Sequence, residues 1–266
     1  MILEAHNITK YYGGFCALDD VSITINEGEF VSLIGPNGAG KTTLINVLTG
    51  LLKPENGRVL FKGKDIAGVD CETLTKLGIA RSFQLIHVFP ELTVLDAIKV
   101  AIISRQDKGL KFYRSLAKDN QLHEEALEVA GLFGLADQAQ EKAKNLPQGA
   151  KKLLDVASAF ALHPKIILLD EPTSGVSTSN KHKIMQVLVE ASRKIGINTV
   201  LQVEHDMDIV FSYSDRIIAI QQAKILADGI PDEIARNEDV ISAVVGRKES
   251  FTTFQNIMET EGEQGA

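Results

Sequence analysis

From Ile2 to Val31 the apolar residues fall in short runs, with alternation in places, separated by polar turns. LEAHNITK and VSITI read as half-buried strands, and EFVSLIG as a fully buried one. The pattern then changes: GPNGAGKTTLINVLTGLL passes from a glycine-rich loop into an apolar helix that stops between Gly50 and Pro54, with a strand pair around RVLFKGKDI beyond it. Residues 85 to about 163 look mainly helical. Thr93 and Asp96 have capping-box spacing, and QLHEEALEVAGLF carries apolar positions three and four apart. The chain then alternates between KIILLDE as strand, KHKIMQVLVEASRK as a helix ended by Gly196, NTVLQVEH as strand, and a short helix before RIIAI and KILADG. The expected class is α/β, a mixed sheet with helices on it and a helical insert. No internal repeat interrupts this order, and the polar, acid-rich end of the chain is expected to be a weakly ordered tail.

Composition narrows the function. A chain of 266 residues, 44% hydrophobic and 24% charged, is long enough for one large domain or one domain carrying an insert. The net charge of -7 argues against a nucleic-acid partner, because binding phosphate backbones relies on clustered Lys and Arg. Any phosphate site must be local. The two cysteines, Cys16 and Cys71, have neither zinc-site nor redox-pair spacing, which fits a reduced cytoplasm. The first residues, MILEAHNITKYY, lack the basic and apolar regions of a secretory leader, so none is expected. No apolar run approaches the roughly 18 residues that cross a bilayer, so another chain would have to supply any membrane span.

The glycine-rich loop carries the chemistry. Gly35, Pro36, Asn37, Gly38, Ala39, Gly40, Lys41 and Thr42 fit the phosphate-loop template, entered from a strand and left into a helix, with Thr43 next in the helix. Glycines let successive backbone N–H groups face inward as an anion nest. Lys41 reaches the β and γ phosphates, and the Thr42 hydroxyl ligates Mg²⁺. Downstream, the apolar IILL runs directly into Asp170 and Glu171. In phosphate-loop enzymes an acid at the carboxyl end of a buried strand holds magnesium, and a following carboxylate polarises the attacking water. A guanine-reading Asn-Lys-x-Asp segment is missing: NKHK, at 180–183, lacks the final acid.

With these motifs in order, the chain resembles the ABC ATPase family over nearly its whole length. The resemblance implies a phosphate-loop nucleotide-binding domain over 1–250, with a mixed-sheet core, an antiparallel β subdomain and a helical subdomain inserted at about 85–163, then a tail over 251–266. It implies ATP and Mg²⁺ as cofactors. It gives Tyr12 the role of stacking on adenine, Gln84 in RSFQ that of touching magnesium and sensing the membrane subunit, Asp170 that of metal ligand and Glu171 that of catalytic base. His205, in EHDM, becomes the switch histidine that holds the water and Glu171 in line. GIARSFQ, the insert and VEHDMDIVFSYSDRI followed by ADGIPDEI resemble the larger ATPase subunit of branched-chain amino-acid importers; urea, short-amide and lipopolysaccharide transporters have related ATPases. The implied partners are membrane permease subunits, a second ATPase subunit and, indirectly, an extracytoplasmic solute-binding protein, at the cytoplasmic face of the membrane. The apolar run Val88, Phe89, Pro90 and Leu92 would line the groove for a membrane-subunit helix, or form insert core.

One segment departs from the family. Its Leu-Ser-Gly-Gly-Gln signature should fall in LPQGA, where only Leu146 and Gly149 match. In the family this segment opens a helix whose positive end faces the γ phosphate bound to the opposite subunit. Pro147 removes the serine hydroxyl, yet proline is tolerated in a first helical turn, so the helix and the Gly149 N–H survive. Loss of one preorganised donor lowers turnover by about 10²- to 10³-fold elsewhere. Either the complex is asymmetric, with a partner's intact signature completing the fast site, or backbone groups supply most of the contact and Pro147 is neutral. SGVS also places Ser177 where many relatives carry Asp. A different reading, an ATP-gated dimerising module that barely hydrolyses, draws its support from the same altered segment.

Overall fold

The computed structural model of the chain describes residues 1–82, 89–106 and 120–244. Two sheets form its frame. Strands β1 (Leu3–Tyr12), β2 (Phe15–Ile25), β4 (Asn56–Phe61) and β5 (Lys64–Asp65) make an antiparallel sheet in the order β2-β1-β4-β5. Strands β3 (Phe30–Ile34), β6 (Ile79–Arg81), β7 (Ile166–Asp170), β8 (Val200–Val203), β9 (Arg216–Gln221) and β10 (Lys224–Gly229) make the second, in the order β10-β9-β3-β8-β7-β6. All of its pairings are parallel except β9 with β10.

Helix α1 (Lys41–Leu48) leaves the loop after β3, and α2 (Cys71–Leu77) precedes β6. Helices α3 (Val94–Arg105), α4 (Asn120–Leu132) and α5 (Gln148–Phe160) lie in sequence between β6 and β7, which are nonetheless neighbours in the sheet. After β7 come α6 (Thr178–Ile195), α7 (Met207–Tyr213), α8 (Pro231–Ala235) and α9 (Glu238–Val244). The local signals read from sequence correspond to real caps: Thr93 Oγ1 accepts from the Asp96 N–H at 3.1 Å to start α3, and Gly196 closes α6 at φ 79°.

Helices α8 and α9 have no counterpart in the sequence expectation, and three further elements differ from it. Strand β2 begins at Phe15, well ahead of VSITI, because Phe15, Cys16 and Leu18 pair with the far end of β1 through register shifts that blur the alternation. Helix α2 and strand β6 were not foreseen. The helix is short and capped at both ends, by Asp70, which accepts from the Thr73 N–H, and by Gly78 at φ 109°. The strand has three residues, too few for periodicity, and exists through its pairing with β7.

Alternation along β7 divides the interior. Ile166 and Leu168 enter the apolar cluster formed with α1 and the antiparallel sheet, whereas Ile167 and Leu169 enter the cluster formed with α3, α4, α5 and α6. A third, smaller cluster joins Ile34, Ile217 and Ala219 to Val210, Ile234 and Val240. In the helical cluster Phe133 and Phe160 meet edge to face, with ring centroids 5.3 Å apart. Such a pair contributes about 0.5 to 1.5 kcal/mol beyond its buried area. Because β3, β6, β7 and β8 run parallel, their carboxyl ends share one edge of the sheet, where open α/β sheets bind ligands.

Candidate active site

At the end of β3 the chain turns through Gly35 at φ 153°, Gly38 at φ 79° and Gly40 at φ 112° before entering α1. Two of these positions exclude any side chain. A Cβ on Gly35 would stand 2.1 Å from the Ile220 carbonyl oxygen, and one on Gly40 would stand 2.5 Å from that of Ala17. Strands β2 and β9 therefore press on the loop from outside and fix its path. Gly40 is the residue before α1 and supplies no side-chain cap, so first-turn amides remain for an anion. Within the loop Ala39 is buried, whereas Asn37 and Gly38 are exposed; Thr42 is exposed and Thr43 half-buried.

Lys41 is folded back onto this loop. It is only 6% exposed, and its Nζ donates to the Gly35 oxygen at 2.7 Å and the Pro36 oxygen at 3.0 Å. Burial pushes its pKa below the usual lysine value, and the carboxylates of Glu171 and Asp170 oppose that shift. The ammonium is thus solvated by neutral carbonyls, partners that a phosphate can replace with charge-assisted bonds.

The acids occupy the tip of β7. Asp170 faces Val203 of β8 in register, and the next backbone N–H, of Glu171, still donates to the Val203 oxygen at 3.0 Å. Glu171 takes φ 50°, a left-handed conformation that costs a non-glycine residue on the order of 1 kcal/mol or more. Its backbone oxygen accepts from Ser174 N–H and from Lys152 Nζ of α5, each at 3.1 Å, which holds the turn. Across the gap, His205 Nε2 lies 2.7 Å from Glu171 Oε1. Both side chains are about two-fifths exposed, so the pair is open to water.

A cleft of about 580 Å³ brings Thr42 and Asn46 of α1 together with Arg81, Ser82, Asp170 and Glu171. Thr42 and Asp170 offer it hard oxygen donors, and the described residues contain no group of three or more His, Cys, Asp or Glu able to hold a metal alone. That donor set fits Mg²⁺, which keeps waters and takes phosphate oxygens instead of a full protein cage.

A second cleft, about 440 Å³, lies along the loop and is lined by Phe15, Pro36, Asn37, Gly38, Gln222 and Ala223, among others. Tyr12 pairs with Phe15 at the end of the β1–β2 hairpin and is 48% exposed, but it does not line this cleft. Phe15 escaped the sequence reading, although an aromatic just beyond Tyr12, Gly13 and Gly14 was the available signal. Gly149 is not brought to the loop either. It is the second residue of α5 and lines neither cleft, whereas Lys152, Asp155 and Val156 of the same helix line the first. Pro147 sits one position outside the first turn, as the residue before α5, with φ -58° and ψ 156°, and its oxygen accepts the Lys151 N–H at 3.0 Å. Gln84 and Val88 lie outside the described residues. Phe89 is exposed and Leu92 packs against the helical core.

Behind His205 is a contact with no sequence signature beyond EHD. Glu204 is buried, and Thr173 Oγ1 donates to its Oε1. Burial pushes the Glu204 carboxyl up, against the opposing influence of Thr173, Lys181 and His205; Asp206 pushes the same way as burial. Lys181 of α6 holds Asp206, the cap of α7, at 2.7 Å. The histidine segment is thereby tied to both the turn after Glu171 and the start of α6.

Residues 18–174 match the family model described as ABC transporter. The chain is 35% identical to the high-affinity branched-chain amino acid transport ATP-binding protein LivG of Salmonella typhimurium over 252 residues, which cover 92% of this chain and 98% of that protein. Among solved structures it is similar to the ADP conformation of MJ1267, an ATP-binding cassette of an ABC transporter. That likeness has 35% identity and a TM-score of 0.79, covering 92% of this chain and 99% of the other. It is also similar to the dimeric post-hydrolysis state of the cassette MJ0796 bound to ADP and Pi, at 30% identity and a TM-score of 0.73, covering 86% and 99%. With a glycine loop, an acid pair and a facing histidine collected at one sheet edge, and with relatives aligned over nearly the full length, this chain belongs to the ABC transporter family as one of its ATP-hydrolysing subunits.

Proposed function

We propose that this subunit binds ATP with Mg²⁺ over the loop from Gly35 to Thr43 and hydrolyses it to power import of branched-chain or other hydrophobic amino acids. The supporting observation is the 2.7 Å contact between His205 and Glu171, placed beside the buried Lys41 loop. Lys41 exchanges the Gly35 and Pro36 oxygens for the β and γ phosphates, and the loop and first-turn amides cradle the rest. Thr42, Asp170 and Gln84 would hold Mg²⁺, which supplies neutralisation of phosphate charge. Glu171 takes the proton of the attacking water. His205 holds that carboxylate in place and contacts the γ phosphate. Tyr12, paired with the cleft-lining Phe15 at the hairpin end, stacks on the adenine.

Two such cassettes close on ATP, with the start of one chain's α5, including the Gly149 N–H, set against the nucleotide of the other. Because α5 has no side-chain cap, its first amides are open to such a ligand, but Pro147 offers no hydroxyl. Paired with a second ATPase subunit whose signature is intact, the site completed by this chain's α5 is the slower one; where backbone amides supply most of the contact, Pro147 is neutral. Among the described residues no helix is long and apolar enough to cross a membrane. Permease subunits provide the pathway at the cytoplasmic face, the segment over 85–163 transmits closure to them, and an extracytoplasmic binding protein delivers the amino acid. The relative's printed name supports that cargo. The test is to purify the assembled complex with Glu171→Gln in this subunit alone. Loss of most ATP hydrolysis and of amino-acid uptake, with the membrane chains still co-purifying, is the expected result; retention of most activity would overturn the assignment.

A further inference from the structure

Arg81 ends strand β6 with its side chain only 11% exposed, and its guanidinium is divided between two acceptors. Nη1 donates to Asn46 Oδ1 at 2.5 Å, and Nη2 donates to Asp170 Oδ2 at 2.8 Å. Asn46 stands one helical turn beyond Thr42 on α1, and both line the same cleft as Asp170. One cation therefore joins the face of α1 that carries the hydroxyl donor to the carboxylate at the tip of β7. The adjoining Ser82 Oγ accepts from the Asp170 N–H at 3.4 Å, so the end of β6 holds this acid at both backbone and side chain.

The division of the fork is the telling feature. An arginine that served only to neutralise Asp170 would favour the two-pronged grip on both carboxylate oxygens, which would also block them. Here a single prong takes Oδ2, and the other reaches α1, where no charge needs neutralising. We infer that Arg81 is a positioning residue for the metal site: it fixes the separation and orientation of Asp170 relative to Thr42 while leaving one carboxylate oxygen for the cation. This rests on the proposed reading of Asp170 as a metal ligand. Outer partners of metal-ligating carboxylates typically alter metal affinity by about 10- to 100-fold when removed.

The test uses the full chain loaded with ADP and titrated with Mn²⁺, bound metal being read by electron paramagnetic resonance. Arg81→Met should weaken Mn²⁺ binding by about 10- to 100-fold with ADP affinity in the absence of metal unchanged. Arg81→Lys, which keeps the charge but cannot span both acceptors, should recover only part of the loss. Asn46→Ala, which removes no charge, should shift Mn²⁺ binding in the same direction, and it carries the test by itself if Arg81→Met does not melt cooperatively. Mn²⁺ affinity that is unchanged or tighter in Arg81→Met, or unchanged in Asn46→Ala, would overturn the inference. An Asp170→Asn control separates the two levels: if it leaves Mn²⁺ affinity intact, the metal-ligand reading itself falls, whereas a large loss there beside an unaffected Arg81→Met removes only the role of Arg81.

Discussion

His205 Nε2 stands 2.7 Å from Glu171 Oε1, and the two residues reach each other from the tips of adjacent parallel strands, β8 and β7. The contact depends on backbone geometry at both ends. Glu171 is itself left-handed, at φ 50°, with its N–H still bonded to Val203, and His205 follows a buried glutamate latched to Thr173. A solvent-open pair of this kind has little value for stability. Its worth lies in holding a base where a water can meet a phosphate.

Glu171→Gln should therefore lower the rate of ATP hydrolysis by about 10²- to 10⁴-fold while leaving nucleotide binding intact. His205→Ala should act in the same direction. Because the two groups work as a unit, the double variant should be scarcely slower than the worse single one, which single-turnover kinetics on the assembled complex can measure.

Gly40→Ala tests the loop. The residue sits at φ 112°, and a Cβ there meets the Ala17 oxygen at 2.5 Å. The variant should lose about 1 to 3 kcal/mol of stability and bind nucleotide more weakly, as read by thermal melting and by titration with ADP.

Glu204 gives a pH dependence of defined sign. Its folded pKa is raised above the ordinary value of 4.5, chiefly by burial. Below 4.5 the group is protonated in both folded and unfolded chains, and its favourable contribution is fully present. As pH rises through the folded pKa, the buried carboxyl must ionise against burial and that contribution is lost. Glu204→Gln, which keeps an acceptor for Thr173, should flatten this slope. Urea unfolding between about pH 5 and about pH 8 should show the wild type losing stability relative to the variant.

The sequence disclosed those parts of the site that are coded locally. Gly35 to Thr42 advertise their loop because glycines at close approaches are required by the fold, and IILL ahead of Asp170 is a strand buried on both faces. Arg81 and Glu204 were illegible for the opposite reason. Arg81 acquires meaning only when a three-residue strand pairs with β7, far along the chain, and Glu204 only when Thr173 meets it from another segment. The length of β2 is obscured by register shifts, and Pro147 stands one residue outside the first turn of α5 because its ψ of 156° is extended, although its φ of -58° would suit a helix. Gly149 could be named from the resemblance but has no partner to meet within a single chain's clefts.

The most direct measurement is equilibrium binding of MgATP to the subunit with its companion cassette present, in a Glu171→Gln background that prevents turnover, compared with and without Lys41→Ala. Removing the ammonium now held by Gly35 and Pro36 should cost about 10- to 100-fold in affinity, the value of a charge-assisted bond to phosphate. Absence of MgATP binding, or an affinity unchanged by Lys41→Ala, would contradict the placement of the triphosphate over this loop.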